Sequence, residues 1–192
     1  NITNIFSFNN QLYIHTEEGL WVQPTNYQER VTNGVVTYIG TGEFGSLPAQ
    51  LILDSKSGNS AGLRQRDAFV ITPYGYFFVS EGLDKVFNFY GKLEPISDEG
   101  LSRWFRNNLN IGYSNNLKDN CPYLFNGKGY YLNYDENFDR ILLTQRTNLS
   151  SNIDSNTKYD FTISYNLKSK SWVSFHSYIP DRYIQVNNNM FT

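Results

Sequence analysis

TPYGYFFVSEGLDKVFNFYG, residues 72 to 91, decides the reading of the fold. Pro73 to Gly75 carries turn chemistry, GYFFVS is an unbroken run of rings and aliphatic side chains, and KVFNFYG supplies a second aromatic run beyond a polar joint. Aromatic and β-branched residues suit a pleated, half-buried surface. Gly, Pro, Asn and Asp at the joints supply hairpin turns. With AFVIT (68 to 72) in front, the segment predicts three strands of an antiparallel meander. The same wording recurs in NNQLYIHTEEGLWVQ (9 to 23) and NGKGYYLNYDENFDRILLTQR (126 to 146), and it begins again in NNNMFT (187 to 192). The copies lie about 60 residues apart, near the spacing of propeller blades enlarged by loop insertions.

Working outward, residues 2 to 8, 12 to 16 and 19 to 23 read as strands joined by Asn9-Asn10 and by Glu17-Glu18-Gly19. The glycine-rich stretch 32 to 62 reads as one strand, at Leu51 to Leu53, between long loops. Further strands are expected at 123 to 125, 129 to 134, 140 to 144, 161 to 165 and 172 to 178, with an Asn/Ser-rich loop over 147 to 158. The period changes once. In PISDEGLSRWFRNNL, the residues Leu101, Trp104, Phe105 and Leu109 share one helical face, and Ser97 with Asp98 and Glu99 resembles a capped first turn. The spacing predicts a short amphipathic helix near 98–108, its stripe covered by the flank of a sheet. The expected fold class is therefore all-β, a partial propeller-like stack of antiparallel meanders. About three blades are expected, over 1–66, 67–120 and 121–182, with the start of another at 183–192. Closed propellers carry about four to eight blades, and the chain enters strand-like sequence at Asn1 directly. A piece of a longer protein is the expectation.

Composition narrows the function classes. Tyr (15) and Phe (14) far outnumber Trp (3) and Met (1), which favours sheet over helix. The 16 basic and 18 acidic residues give a net charge of −2 and are scattered. The densest basic spots, Arg64 with Arg66, Arg103 with Arg106 and Lys168 with Lys170, make no continuous stripe, so specific nucleic-acid binding is not expected. No apolar run reaches the length of a membrane span. The lone Cys121 can form no internal disulfide and reads as a small half-buried side chain.

Motifs for chemistry fall short. Asp135, Asn137 and Asp139 have the alternate spacing that opens a calcium loop, but Arg140 and Arg146 stand where such a loop needs Gly and Glu, so a hairpin turn is the better reading. His15 and His176 are the only histidines and sit in strands, without a nucleophile elbow nearby. Gly40, Gly42 and Gly45 lack the Lys-Ser/Thr of a phosphate loop. The S-x-D-x-G-x-x-W box of sialidase propellers is absent. No catalytic, cofactor-binding or metal-binding residue is expected, and none would be singled out without activity tied to Asp135, Asp139 or His176. Tyr74, Tyr113, Tyr159 and Tyr183 could stack on sugars, although half-buried strand positions explain most tyrosines.

The segments GYFFVSEGLDKVFNFYGKLEPISDEGLSRWFRNNL, NYDENFDRILLTQR and SWVSFHSYIPDRYI resemble the β-rich muzzle or tail-stabilization proteins of crAss-like and related podoviral phages, across residues 68 to 184. The resemblance implies a non-enzymatic virion protein of the phage tail. Its partners would be other tail proteins and identical subunits in a ring around the DNA exit channel, and it carries over no catalytic residue. An unadorned channel suits the absence of basic patches, since phosphate contacts would retain DNA. The alternative expectation is a carbohydrate- or receptor-binding propeller with its site in loops 32 to 62 or 147 to 158.

Overall fold

The computed structural model describes residues 1–24, 27–32, 35–40, 47–109, 127–148, 160–180, 182–186 and 189–191. The described residues are all-β apart from one helix and short 3-10 turns. A first sheet contains β1 (Ile2–Phe8), β2 (Gln11–Thr16), β3 (Leu20–Gln23) and β6 (Gln50–Ile52) in that order, while β4 (Tyr27–Thr32) and β5 (Val35–Gly40) form a separate hairpin inserted before β6. Asn9 and Asn10 join β1 to β2 with φ of 50° and 60°. Two consecutive left-handed residues make the tight turn whose twist matches the flanking strands, and Asn tolerates that conformation.

A second sheet contains β7 (Phe69–Thr72), β8 (Gly75–Ser80), β9 (Lys85–Phe89) and β10 (Leu93–Pro95) as a simple meander. A third contains β11 (Gly127–Asp135), β12 (Arg140–Asn148), β13 (Phe161–Asn166) and β14 (Ser171–His176), likewise in chain order. A last hairpin pairs β15 (Ile184–Val186) with β16 (Asn189–Phe191). None of the three four-stranded sheets closes on itself or on another.

The three sheets stack face to face with the second in the middle. Every residue of β8 is buried. Tyr76 and Phe78 meet the first sheet: Phe6 stacks on Tyr76 at 4.1 Å between ring centroids, and the His15 ring stands edge-on to Phe78 at 4.5 Å. Phe77 and Val79 alternate to the opposite side and share one core with Leu132, Tyr134, Ile141, Leu143, Ile163 and Tyr165 of the third sheet. The second and third sheets approach along β7 and β11, where the Leu132 amide donates to the Asp67 carbonyl.

Helix α1 (Ser102–Leu109) packs at the opposite edge of that pair. Phe105 lies against Trp172 (4.6 Å), and Trp104 against Phe161 (4.8 Å) and Phe175 (5.0 Å). A bulge in β14 opposite Ser164 and Tyr165 leaves Val173 outside the pairing and lets Trp172 turn inward. The Trp172 indole donates to the Ile96 carbonyl at 2.9 Å. The helical stripe predicted from Leu101, Trp104, Phe105 and Leu109 therefore rests on the flank of a sheet, as its period requires.

The start of the helix differs from expectation. Residues Ile96–Asp98 form an isolated 3-10 turn after Pro95, Gly100 takes φ 84°, and the helix begins at Ser102 rather than at 98. Ser97 does not cap it, because Gly100 reverses the backbone between them and the Ser97 hydroxyl is buried without a hydrogen-bond partner. Three strands were not anticipated: β4 and β5, whose residues alternate weakly, and β10, a three-residue edge ending in proline. The loop expected over 147 to 158 begins later, because β12 runs to Asn148; the remainder of that loop, the expected strand at 123 to 125, Cys121, Tyr113 and Tyr159 lie outside the described residues.

Residues 53 to 68 link the first two sheets and fill the space between them with Ala61, Leu63 and Ala68, all fully buried. This connector lies so close to the β2–β3 turn that a Cβ on Gly62 would stand 1.9 Å from the Glu17 carbonyl oxygen. Backbone on backbone cannot yield as a side chain can. Gly62→Ala should cost about 2 kcal/mol or more in urea or thermal unfolding. Gly82→Ala, which meets nothing within 4 Å, should stay within about 0.5 kcal/mol. Equal melting behaviour of the two variants would refute this placement of the connector.

Candidate functional site

Two regions of the surface stand out, an apolar sheet face and a groove among turns. On the outer face of the first sheet, Ile5 pairs with Ile14, Ile14 with Trp21, and Trp21 with Leu51. Those pairings set four apolar side chains in a row across all four strands. Ile5 is 57% exposed, Ile14 and Trp21 are half-buried, and Leu51 is exposed. A second apolar surface lies on the terminal hairpin, where Ile184, Val186 and Phe191 alternate or pair onto one face and are all exposed.

The outer face of the third sheet is different in kind. The Thr144 and Thr162 hydroxyls bond each other at 2.9 Å, Tyr183 reaches Thr144, and Ser164 donates to the Ser174 carbonyl. Burial pushes the Tyr183 phenol up to about 12. Tyr183 is thus a half-buried cover for this hydroxyl row, in keeping with the ordinary strand-and-cover role rather than with an open stacking platform.

The groove opens between the second and third sheets at the end where their turns cluster. Pro73 and Tyr74 come from the β7–β8 turn, Tyr90 and Lys92 from the β9–β10 turn, and Leu167 and Lys170 from the β13–β14 turn. Phe77, Asn88, Glu94, Ile96, Glu99 and Tyr165 complete a cavity of about 440 Å³. Its floor is firmly held. The Tyr165 hydroxyl donates to Glu99 at 2.7 Å, and burial, with that carboxylate beside it, drives the phenol far above its usual range. Gly75, at φ 136°, is required because a Cβ there would stand 2.2 Å from the Asn88 side-chain oxygen.

The residues considered for chemistry are spread apart. Asp135 receives two bonds from the Arg140 guanidinium, both 2.9 Å. Asp139, in the left-handed region at φ 46°, accepts from Lys168 at 2.6 Å and from Tyr134 at 3.3 Å. The bond from Lys168 leads in holding its carboxyl below the usual range. The DENFD segment is the β11–β12 turn, and its two aspartates each hold a cation of the protein. Among the described residues, no group of three His, Cys, Asp or Glu is placed to hold a metal ion.

His15 is completely buried. Its Nε2 lies 3.1 Å from the Ala61 carbonyl and so carries the proton, and Nδ1 accepts from the Tyr76 hydroxyl at 2.9 Å. Both ring nitrogens are thus spent, one on the connector and the other on the second sheet. His176 lies at the other flank, beside Tyr178 at 5.1 Å, with its Nε2 buried and unpartnered. Burial first, and Arg140 second, lower its affinity for a proton. Among the described residues, no helix is long and apolar enough to cross a membrane. No protein-family model and no curated protein matches this chain, so residues and geometry carry the functional reading.

Burial lowers the His15 pKa from 6.5 to about 4, against a smaller opposing pull from the bond to Ala61. The folded protein therefore holds His15 neutral where the unfolded chain would protonate it. Its contribution to stability is complete above about pH 6.5 and is lost as pH falls toward about 4, by up to about 3 kcal/mol. His15→Gln keeps a donor and an acceptor without titrating. Urea unfolding of this variant should be flatter than wild type between those two pH values, and parallel curves would refute the assignment.

Proposed function

We propose that this chain is a non-enzymatic structural module of a phage tail, in which the three sheets act as blades of a propeller-like body completed by neighbouring protein. The observation that supports it most is the apolar row Ile5, Ile14, Trp21 and Leu51 on the outer face of the first sheet. The second sheet has a neighbour on each face, and among the described sheets the first has one on its inner face only. Its outer face nevertheless carries side chains of the kind that the inner faces bury. Burying a large aliphatic residue of this sort contributes about 1.5–3 kcal/mol, so a row of four is a substantial drive to association.

The wording of residues 68 to 184, which resembles podoviral muzzle and tail-stabilization proteins, gives the setting: a virion tail, with identical subunits and other tail proteins as partners around the DNA exit channel. Head-to-tail contact suits that setting. The exposed hairpin face of Ile184, Val186 and Phe191 is apolar too and belongs to a different surface from the Ile5 row. Contact between two unlike patches propagates around an axis and closes into a ring when the rotation allows.

Sedimentation across a concentration series should show assembly beyond the monomer. Ile5→Asp and Ile184→Asp each remove one patch at an exposed position and should each give smaller species. Mixed together, the two variants should form a dimer, since each still offers the patch that the other lacks. A wild-type chain that stays monomeric throughout would overturn the reading, and assembly unaffected by both substitutions would overturn these contacts.

A further inference from the structure

We propose that the groove between the second and third sheets binds a neutral oligosaccharide. The inference is independent of the tail assignment and of the two apolar patches, because the groove lies among the turns at one end of the stack. Its volume of about 440 Å³ is within the range of roughly 300–1,000 Å³ found for small-ligand sites.

Three features select the ligand class. Tyr74 and Tyr90, 41% and 56% exposed, present rings at a groove mouth. Tyr90 rests edge-on against Phe8 at 5.8 Å and the Tyr74 hydroxyl bonds Asp139, which holds both side chains in place, and their exposed faces suit the C–H faces of sugar rings. The second feature is an open acceptor suited to a hydroxyl group. The Asn88 side-chain oxygen is buried without a hydrogen-bond partner, on a wall that also carries Glu94, ion-paired with Lys92, and Glu99, which accepts from Tyr165. A buried acceptor left unsatisfied is costly, and a ligand hydroxyl would relieve that cost. Third, the charged lining balances: Lys92 and Lys170 against Glu94 and Glu99. A phosphate, sulfate or uronate would meet two carboxylates, and a polycation two lysines, whereas an uncharged polyhydroxyl chain meets donors and acceptors without net repulsion.

The groove is also prepared in shape. Three turns from two sheets build it, and the Tyr165–Glu99 bond together with the Gly75 approach to Asn88 fixes its floor. A site organised before binding loses little affinity to ordering. Of the two described tyrosines that the sequence suggested for stacking, Tyr74 lines this groove and Tyr183 does not.

The test is saturation-transfer NMR on the whole chain with chitotriose, cellotriose, maltotriose and isomaltotriose, set beside sialyllactose and trigalacturonate. At least one neutral trisaccharide should bind at millimolar concentration and the two anionic ones should not. Tyr74→Ala and Tyr90→Ala should each weaken that binding about tenfold while Tyr90→Phe retains it, with near-ultraviolet circular dichroism confirming an unchanged fold. Glu99→Gln should weaken it by a smaller factor. Absence of binding by every neutral probe, preference for the anionic ones, or binding indifferent to both alanine variants would each overturn the proposal.

Discussion

The constraint on which the rest depends is that β8 has no polar face. In GYFFVS, Tyr76 and Phe78 point to one side of the second sheet while Phe77 and Val79 point to the other, and all four are fully or almost fully buried. A strand of this kind cannot sit on the outside of a two-layer protein. It requires a neighbour on each side, and with transfer energies of about 2–3 kcal/mol per ring the requirement is strong. The first and third sheets are those neighbours. The bond between His15 and Tyr76 adds direction to what would otherwise be greasy contact: it joins β2 to β8 through one donor and one acceptor, and a slip by one residue would strand both.

Stacking twisted sheets on both sides of a central one leaves gaps that something must fill. The second and third sheets touch closely along β7 and β11, and α1 packs at their opposite edge, with Phe105 and Trp104 meeting Trp172 and Phe161. Between the first and second sheets, the connector carrying Ala61 and Leu63 has the same task. Connectors are therefore part of the core here, which explains why a segment of glycine and small polar residues contains positions as tightly enclosed as Gly62. At the turn end no connector among the described residues fills the gap between the second and third sheets, and that is where the groove lies.

The strands of the meanders were legible because their rings and turn residues alternate on a scale of a few residues, within reach of local chemistry. The stripe of α1 was legible for the same reason. Its starting point was not, because Asp98 and Glu99 look like a first turn until Gly100 takes a left-handed conformation that ends the 3-10 turn. The edge strand β10 has too few residues to show a period. The groove was almost invisible: Tyr74 could be named as a possible platform, but Tyr90, Asn88, Glu94 and Glu99 come from separate turns and strands. They become one site only after two sheets are placed against each other. A signal was present in Gly75, whose position after Pro73-Tyr74 reads as a turn residue and also clears space for Asn88.

The two flanks of the stack are chemically unlike, and this bears on how copies of the chain could meet. The outer face of the third sheet presents hydroxyls that already bond one another and are covered by Tyr183. An apolar row laid on that face would find no open surface, since Thr144, Thr162, Ser164 and Leu142 are already buried within the chain. Simple continuation of the stack, third sheet of one copy against first sheet of the next, is therefore disfavoured. The hairpin β15–β16 offers the better complement, because Ile184, Val186 and Phe191 form an exposed apolar face. Pairing it with the Ile5 row joins two unlike surfaces of one molecule. Such an interface repeats from copy to copy and leaves no satisfied end until a ring closes, which gives assembly around an axis without any sheet of the isolated chain having to close upon itself.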